Sequence, residues 1–336
     1  MSNQEILQIK NLITSFKIKN KYYAAVDNVS LSVRENEIIA VVGESGCGKS
    51  ALALSITSLH NMNYTRIEGE ILYNGRDLLK LNQNQLNKIR GKEISMIFQD
   101  PLTALNPLMT VGAQIEEILF FHMNMSKKER KDFAVDLLNQ VGMSNPSLTY
   151  TQYPHELSGG MRQRAMIAIA VSCHPSIIVA DEPTTALDVT IQAQILDLLK
   201  KLQRENKTAT ILITHDLGVV AEMADRIAVM YAGQIVETSP SRELFKNPKH
   251  PYTRSLLSAI PSVKTETDKL YAIQGVVPSL INLPRKGCRF APRIPWILPE
   301  YHEEIPVYHE VAPEHFVLCS CYEKFFFENA DKIYDI

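Results

Sequence analysis

The chain has 336 residues, of which 45% are hydrophobic and 21% are charged, and this ordinary globular composition argues against intrinsic disorder. Lysine and arginine number 35 and aspartate and glutamate 37, so the formal charge of −2 gives no support for nucleic-acid binding through bulk positive charge. The 5 cysteines are too few for a disulfide scaffold, and there is neither a signal region nor an apolar run of about 18 residues. These features predict a soluble, cytoplasmic protein, and the length predicts two compact units of unequal size.

The first two thirds of the chain alternate between short apolar runs and helical stretches. Segments 7–33 and 67–73 are predicted as short antiparallel strands, the latter ending at the turn signal Asn74-Gly75. Apolar runs without alternation are predicted as strands buried on both faces of a mainly parallel sheet, at 38–42, 94–98, 177–180, 209–213 and 227–231. Residues 112–154 are predicted to be mostly helical, and residues 190–204 to form an amphipathic helix.

A glycine-rich segment follows the first of these buried strands. Its residues match the phosphate-loop pattern G-x-x-x-x-G-K-[ST] at every fixed position: Gly43, Glu44, Ser45, Gly46, Cys47, Gly48, Lys49 and Ser50. Such a loop points consecutive backbone N–H groups into one concavity, and the helix that follows adds the positive end of its dipole. Lys49 is expected to reach the β- and γ-phosphates of a nucleotide, Ser50 to ligate Mg²⁺, and Ala51 to complete the contacts. Cys47 is interpreted as a variable position of the loop and not as a nucleophile.

Two carboxylates, Asp181 and Glu182, stand where the apolar run 177–180 ends. Ligands of open α/β sheets bind at the carboxyl ends of the strands. Asp181 is therefore expected to hold Mg²⁺, and Glu182 to orient or deprotonate the water that attacks the γ-phosphate. Alone, such a pair is commonly two exposed acids at a strand end, but after a phosphate loop it indicates an NTPase.

The segment LSGGMRQR at 157–164 resembles the LSGGQ signature of ATP-binding-cassette (ABC) ATPases, with Met161 in place of the usual glutamine. Ser158, Gly159 and Gly160 precede a predicted helix, so they form a second helix N-terminus suited to an anion. The resemblance implies that this signature acts on the nucleotide of a second cassette, because two cassettes of this family pair head-to-tail with ATP between them.

Further motifs resemble those of the same family and occur in the family's order. Gln99 resembles the Q-loop glutamine that touches Mg²⁺ or the attacking water, and Asp188, in the sequence ALD, resembles the D-loop aspartate at the contact between cassettes. His215 resembles the switch histidine that contacts the γ-phosphate. The family stacks adenine on an aromatic residue near the N-terminus, and for this role Phe16 fits the spacing better than Tyr23.

The resemblance covers about residues 5–240 and implies an α/β fold. The fold is that of a P-loop NTPase (RecA-like) ABC cassette with an antiparallel β subdomain and a helical subdomain at about 100–170. The composition changes near 235–250, since 11 of the 17 prolines lie from Pro240 onward. Residues 1–240 are therefore predicted as the nucleotide-binding domain and residues 241–336 as a small loop-rich extension. Acidic side chains after residue 299 are expected to keep the tail solvated.

The extension resembles that of ATPase subunits from oligopeptide and dipeptide importers, in the segments HPYT at 250–253 and GCRFAPR at 287–293. This resemblance implies an ATPase that uses ATP and Mg²⁺ to energise peptide import at the cytoplasmic face of the membrane. It implies as partners a second ABC ATPase subunit in a heterodimer, two transmembrane permease subunits and an extracytoplasmic substrate-binding protein, but no nucleic acid. Transport of nickel or another small solute, and a soluble ABC ATPase outside transport, stay open as alternatives.

The cysteines of the extension depart from the family's pattern. Relatives often carry four there, which are thought to hold an iron–sulfur cluster, but this chain has Ile294 and Tyr301 at two of those places. The cysteines that remain are Cys288, Cys319 and Cys321. No iron–sulfur cluster is predicted, because a cubane usually needs four thiolates. Zinc on these three cysteines and a histidine such as His315 stays open.

Overall fold

The computed structural model describes residues 4–185, 187–259 and 275–327, and the strands among them belong to two sheets. The strands are β1 (Glu5–Ile18), β2 (Lys21–Arg34), β3 (Ile38–Val42), β4 (Thr65–Tyr73), β5 (Arg76–Asp77), β6 (Ile94–Ile97), β7 (Ile177–Asp181), β8 (Ala209–Thr214), β9 (Arg226–Tyr231), β10 (Gln234–Pro240), β11 (Tyr308–Ala312) and β12 (His315–Leu318). The α-helices are α1 (Lys49–Ile56), α2 (Gln83–Ile89), α3 (Pro101–Ala104), α4 (Val111–His122), α5 (Lys127–Gln140), α6 (Pro146–Thr151), α7 (Gly159–Val171), α8 (Val189–Asn206), α9 (Leu217–Met223), α10 (Ser241–Lys246) and α11 (Pro251–Ser258).

The larger sheet has the order β11-β12-β10-β9-β3-β8-β7-β6, and its strands from β9 to β6 run parallel. Every residue of β3, β7 and β8 is buried, which explains why these strands show no apolar–polar alternation. The buried strands predicted from the sequence are all confirmed, although β6 ends at Ile97 and β7 continues to Asp181. Because β3, β7 and β8 are neighbours, the segments that follow them meet at one edge of the sheet.

The second sheet is antiparallel, in the order β2-β1-β4-β5, and the turn Asn74-Gly75 joins its last two strands. The prediction of short strands over 7–33 is wrong, because β1 and β2 have 14 residues each. Bulges keep these long strands paired, since Asn11 and Asn28 adopt positive φ angles of 48° and 55° where the register shifts. Asparagine tolerates this left-handed conformation better than most residues. The sheet packs its apolar face against α1, for example through Leu12 and Leu52.

Helices α3 to α7 form a helical unit beside the parallel sheet and confirm the prediction of helix over much of 112–154. Helices α4, α5 and α6 pack on one another, and α4 and α5 also pack on α7. Ile115, Leu119, Leu138 and Ile167 are fully buried in the core that these helices share with the sheet. Helix α8 likewise confirms the amphipathic helix predicted over 190–204, because its apolar positions recur at helix spacing.

The larger sheet also connects the predicted extension to the cassette. Strand β12 pairs antiparallel with β10, and β11 pairs with β12. The buried rings of Tyr231 in β9, Tyr252 in α11 and Phe290 lie with their centroids 4.6, 5.3 and 5.5 Å apart, so apolar burial adds to the backbone pairing. Strands from both sides of the predicted boundary at residue 240 therefore belong to one sheet, with β10 before it and β11 and β12 after it. The division into domains 1–240 and 241–336 stays a prediction. Among the residues described, no helix has the length and apolar character needed to cross a bilayer.

Candidate functional site

The phosphate-loop pattern forms a tight turn between β3 and α1. Gly48 has a φ angle of +107°, and a Cβ atom there would lie 2.4 Å from the carbonyl oxygen of Ala25. A Cβ atom on Gly43 would lie 2.1 Å from the carbonyl oxygen of Met230. Both positions require glycine, because neighbouring backbone occupies the space of a side chain. Residues 45–46 between them are exposed, so the loop presents its backbone to solvent at the carboxyl edge of the sheet.

Lys49 is the first residue of α1, and its side chain lies inside the loop. Its Nζ donates hydrogen bonds to the carbonyl oxygens of Gly43 at 2.8 Å and Glu44 at 3.0 Å, and the residue is 5% exposed. An ammonium group held by neutral carbonyls is well placed to exchange them for the charged oxygens of a phosphate. Ala51 follows within the first turn of α1. Burial raises the pKa of the neighbouring Cys47 thiol, which agrees with its interpretation as a packing residue and not a nucleophile.

Asp181 is the last residue of β7 and is 4% exposed. Its Oδ1 atom is buried and has no hydrogen-bond partner within the described part of the chain. Burial raises the pKa of Asp181, although a hydrogen bond with the Ser50 hydroxyl opposes this shift. A buried carboxylate oxygen without a partner, beside a hydroxyl group, fits Mg²⁺, which prefers oxygen ligands and keeps several waters. The residues present therefore fit this ion, and the assignment of Ser50, Asp181 and Gln99 as its ligands stays a prediction.

The carboxylate of Glu182 is the centre of a polar network just after β7. Its Oε2 accepts hydrogen bonds from Gln99 Nε2 at 3.0 Å and from the Thr185 hydroxyl at 2.8 Å, and its Oε1 lies 3.3 Å from His215 Nδ1. Burial raises the pKa of Glu182, but the hydrogen bond from Thr185 and the proximity of His215 outweigh burial, so the pKa lies below its usual value. The structure thus brings together the residues predicted as catalytic, around a carboxylate that is ionised at neutral pH and free to accept a proton.

The signature residues lie at the N-terminus of α7. Ser158 caps this helix, since its hydroxyl accepts a hydrogen bond from the backbone N–H of Met161 at 3.4 Å. The helix begins at Gly159, so Gly159 and Gly160 form its first turn and do not precede it as predicted. Ser158 and Gly159 are exposed, and the N-terminus of α7 is therefore open to a ligand from outside the chain.

The predicted D-loop lies directly beside the signature. Asp188 caps α8, with its Oδ1 accepting a hydrogen bond from the Ile191 N–H at 3.0 Å. The Ile191 side chain approaches Gly160 so closely that a Cβ atom there would lie 2.9 Å from it. Asp188 is exposed like the signature, so the two motifs form one continuous exposed surface. Ala186, the first residue of the motif, lies outside the described residues.

The two aromatic candidates for the adenine contact are direct cross-strand partners. Phe16 in β1 pairs with Tyr23 in β2, and residues opposed in this way project from the same face of a sheet. Phe16 also packs edge-on against His60, with ring centroids 5.5 Å apart. His60 Nε2 lies 3.0 Å from the carbonyl oxygen of Ala51, so Phe16 is near the helix that follows the phosphate loop. Phe16 stays the predicted residue for this contact, with Tyr23 as the alternative.

Within the described part of the chain beyond position 240, Tyr252 and Arg293 contact the phosphate loop, and the sequence analysis predicted neither contact. The Arg293 guanidinium forms a two-pronged ion pair with the Glu44 carboxylate, at 2.7 and 3.2 Å. The backbone N–H of Glu44 donates a hydrogen bond to the Tyr252 hydroxyl at 2.8 Å. Glu44 was predicted to bind nucleotide, but its side chain and its N–H are both engaged with the extension. No local signal identifies such contacts, since the partners are distant in sequence.

Replacement of Arg293 by alanine is expected to lower the free energy of unfolding by about 1–3 kcal/mol and to weaken ATP binding several-fold. The Arg293 side chain is 6% exposed, so its loss leaves the Glu44 carboxylate without this partner and loosens the start of the loop. Urea unfolding and calorimetric ATP titration measure the two effects. Arg285→Ala is the matched control, because Arg285 also joins the extension to β2, through Asp27 at 3.4 Å. Equal losses of ATP affinity in both variants would contradict a specific effect on the loop.

The structure changes the choice of histidine as a possible zinc ligand beside the cysteines of the extension. His315 is fully buried, and its Nε2 lies 2.7 Å from Oε1 of Glu237. Glu237 also accepts hydrogen bonds from the backbone N–H groups of Lys249 and His250, so His315 belongs to a structural network between β10 and β12. His302 instead lies with the cysteines of the extension.

Comparison with known proteins defines the class of this fold and site. The family described as ABC transporter matches residues 26–185. The ATP-binding cassette MJ0796, solved as a dimer in a post-hydrolysis state with ADP and Pi, aligns with a TM-score of 0.64 and 32% identity over 70% of this chain and 99% of that chain. The protein is therefore an ABC-type ATPase, a class that binds ATP, generally with Mg²⁺.

The extension and full-length relatives narrow the assignment. Residues 236–296 match the family described as Oligopeptide/dipeptide transporter, C-terminal region. The oligopeptide transport ATP-binding protein OppD of Lactococcus lactis subsp. cremoris (strain SK11) is 49% identical over 328 residues, which cover 97% of each chain. AppD of Bacillus subtilis (strain 168), also an oligopeptide transport ATP-binding protein, is 53% identical over 291 residues, or 86% of this chain and 88% of that one. The chain belongs to the oligopeptide/dipeptide family of ABC transporter ATP-binding proteins.

Proposed function

We propose that this chain hydrolyses ATP to drive the import of di- or oligopeptides through membrane permease subunits. The observation that carries the ATPase assignment is the Glu182 carboxylate, held by Gln99, Thr185 and His215 at the sheet edge that also bears the phosphate loop. The match of the extension and the names of the relatives support peptides as the solute class.

Hydrolysis requires a water molecule to attack the γ-phosphorus while the bond to the β–γ bridging oxygen breaks. The N–H groups of the phosphate loop bind the phosphates, and Lys49 neutralises part of their charge. Glu182 accepts the proton that the attacking water loses, and Gln99 and His215 hold its carboxylate in position. Mg²⁺, when bound at Ser50 and Asp181, offsets charge on the β- and γ-oxygens.

A cassette dimer completes the proposed site. The exposed N-terminus of α7, with Ser158 and Gly159, is suited to close over the γ-phosphate held by a partner cassette. Asp188 lies on the same exposed surface and is proposed to contact the partner. The proposed partner is a related ATPase subunit in a heterodimer, which the family resemblance implies.

Exposed apolar side chains on the helical unit support contact with membrane subunits. Leu102, Leu108, Phe120 and Phe121 are 61%, 85%, 61% and 70% exposed. Apolar groups left in water on one structural unit are typical of a protein–protein contact. The unit begins directly after Gln99, so a partner bound there could influence the Glu182 network. The proposed partners are two permease subunits and an extracytoplasmic binding protein, and the proposed location is the cytoplasmic face of the membrane.

The proposal is tested with the complete complex in proteoliposomes, with ATP on the side of this chain. Binding protein loaded with a di- or oligopeptide is expected to stimulate ATP hydrolysis and to move labelled peptide towards the ATP side. Nickel ions in place of the peptide serve as the comparison. Stimulation by nickel and not by any peptide would contradict the peptide assignment and leave the ATPase assignment intact.

A further inference from the structure

Four potential metal ligands lie together in the extension, away from the ATPase motifs. Cys288, His302, Cys319 and Cys321 each offer one ligand atom, and these atoms all lie within 4.8 Å of one another. The thiol-bearing residues are 8%, 1% and 0% exposed, and no disulfide joins them. These cysteines also pack in an apolar cluster with Phe290 and Ile294, but apolar packing alone does not require their sulfur atoms to converge on one point.

His302 gives an independent indication of a missing ligand. Both of its ring nitrogens are shielded from solvent, and neither has a hydrogen-bond partner among the residues described. Ring nitrogens that are shielded from water and have no partner are costly, and binding of a metal ion by one of them removes that cost for the liganding atom. The same histidine is the nitrogen member of the group formed with the cysteines.

The surrounding backbone holds the group in shape. The N–H of Glu303, the residue after His302, donates to Cys319 Sγ at 3.5 Å. The Glu303 carboxylate accepts hydrogen bonds from the N–H groups of Val307 at 2.8 Å and Ser320 at 3.0 Å. It thereby ties the His302 segment to the turn that carries Cys319 and Cys321. An N–H donated to a cysteine sulfur and a carboxylate that orders the loop are common supports of metal-bound thiolates.

The geometry distinguishes between two kinds of metal centre. An iron–sulfur cubane, which relatives are thought to hold, usually takes four thiolates and must fit an inorganic core between them. Here three thiols and one imidazole converge, with their ligand atoms at most 4.8 Å apart. A single tetrahedral zinc ion, with Zn–S bonds of about 2.3 Å and Zn–N bonds of about 2.0 Å, spaces its ligand atoms about 3.8 Å apart or slightly less. The four residues fit one zinc ion and do not fit the four-cysteine cluster.

We propose that Cys288, His302, Cys319 and Cys321 bind one structural zinc ion. Four protein ligands leave no open coordination position, which is typical of structural and not catalytic zinc. The three thiols lose their protons on binding, so the site carries one net negative charge. The ion would join three separate segments of the extension. The helices and strands in the described part of the extension are all short, and small loop-rich units of this kind commonly depend on a metal or disulfides. Cys288 precedes the segment that carries Arg293, so zinc would also stabilise the contact with the phosphate loop.

The test is metal analysis of the full-length chain, purified without a polyhistidine tag and under reducing conditions. About one zinc ion per chain is expected by mass spectrometry after extensive dialysis. His302→Ala and Cys321→Ser are each expected to reduce the zinc content at least about tenfold under the same conditions. The control variants Cys173→Ser and His122→Ala should retain the wild-type content, because both residues lie in the cassette and neither belongs to the group.

Cobalt titration of the wild-type chain, stripped of metal by a chelator, keeps the proposal testable if a variant fails to fold. One equivalent of Co²⁺ should give the thiolate-to-cobalt charge-transfer band and the intense visible bands of a tetrahedral site. Iron and acid-labile sulfide with a broad absorption in the visible would overturn the proposal in favour of a cluster. Absence of tetrahedral cobalt bands, with no metal retained by the untreated protein, would also overturn it. Neither readout depends on ATP hydrolysis or transport, so failure here is separate from failure of the proposed function.

Discussion

ATP hydrolysis by the assembled transporter is expected to fall about 10²–10⁴-fold when Glu182 is replaced by glutamine, the range for loss of a general base. The amide keeps the size of the side chain and can still accept the hydrogen bonds from Gln99 and Thr185. It cannot take a proton from the attacking water. ATP binding should therefore persist, and the variant should accumulate as an ATP-bound dimer. Phosphate release measures the first effect, and size-exclusion chromatography with ATP measures the second.

The matched control for this variant is Glu68→Gln, which makes the same chemical change at an exposed position of β4, outside the helical unit. It should hydrolyse ATP at the wild-type rate. Unimpaired hydrolysis by Glu182→Gln would exclude Glu182 as the catalytic base. Loss of ATP binding together with hydrolysis would indicate instead that the Glu182 network mainly holds the site together.

Replacement of Lys49 by alanine is expected to weaken ATP binding roughly 10²-fold, which corresponds to about 3 kcal/mol. The ammonium group lies between the carbonyl oxygens of Gly43 and Glu44, where phosphate oxygens are expected to compete for it. Its removal takes away a charge-assisted contact to the nucleotide and two internal bonds of the loop. Hydrolysis at saturating ATP should fall as well, because the same charge stabilises the transition state.

Equilibrium binding of a fluorescent ATP analogue measures the loss at Lys49. Lys127→Ala is the control, since Lys127 is an exposed lysine at the start of α5. Thermal unfolding without nucleotide shows whether the substitution also destabilises the folded protein, which distinguishes a loosened loop from the loss of a contact with ATP. An unchanged dissociation constant for Lys49→Ala would contradict the assignment of this segment as the phosphate site.

The nucleotide site was predictable because its chemistry is encoded locally. The phosphate loop needs glycines and a lysine at fixed spacing, and Asp181 and Glu182 need only a buried strand before them. A parallel sheet then brings these separate segments to one edge without any further information from the side chains. The same logic predicts Gln99 and His215 beside Glu182, because β6 and β8 flank β7. Their roles as individual ligands and catalysts stay predictions.

Contacts that depend on tertiary packing were not predictable in the same way. Tyr252 and Arg293 contact Glu44 although they lie 208 and 249 positions away from it in the sequence. The periodicity of apolar residues predicts local helices and strands and not contacts between such distant positions. Spacing in the sequence does not distinguish His302 from His315 as a partner of the cysteines. In the fold, His315 lies against the Glu237 carboxylate, and His302 lies with the cysteines. Strands β1 and β2 appeared short in the sequence because asparagine bulges interrupt their pattern, while the pairing continues past the bulges.

The pairing of β12 with β10 has a consequence for shortened forms of this protein. Strand β10 is where the sheet of the cassette would otherwise end, and an unpaired strand of that kind is a template for association with other chains. The extension supplies β12 as a cover, with pairs at Glu237 and Thr238. A chain ended at residue 240 would keep every ATPase motif but would present an open edge and the uncovered ring of Tyr231. Self-association and precipitation are therefore expected of such a truncated cassette, and the extension acts as its built-in protection against aggregation.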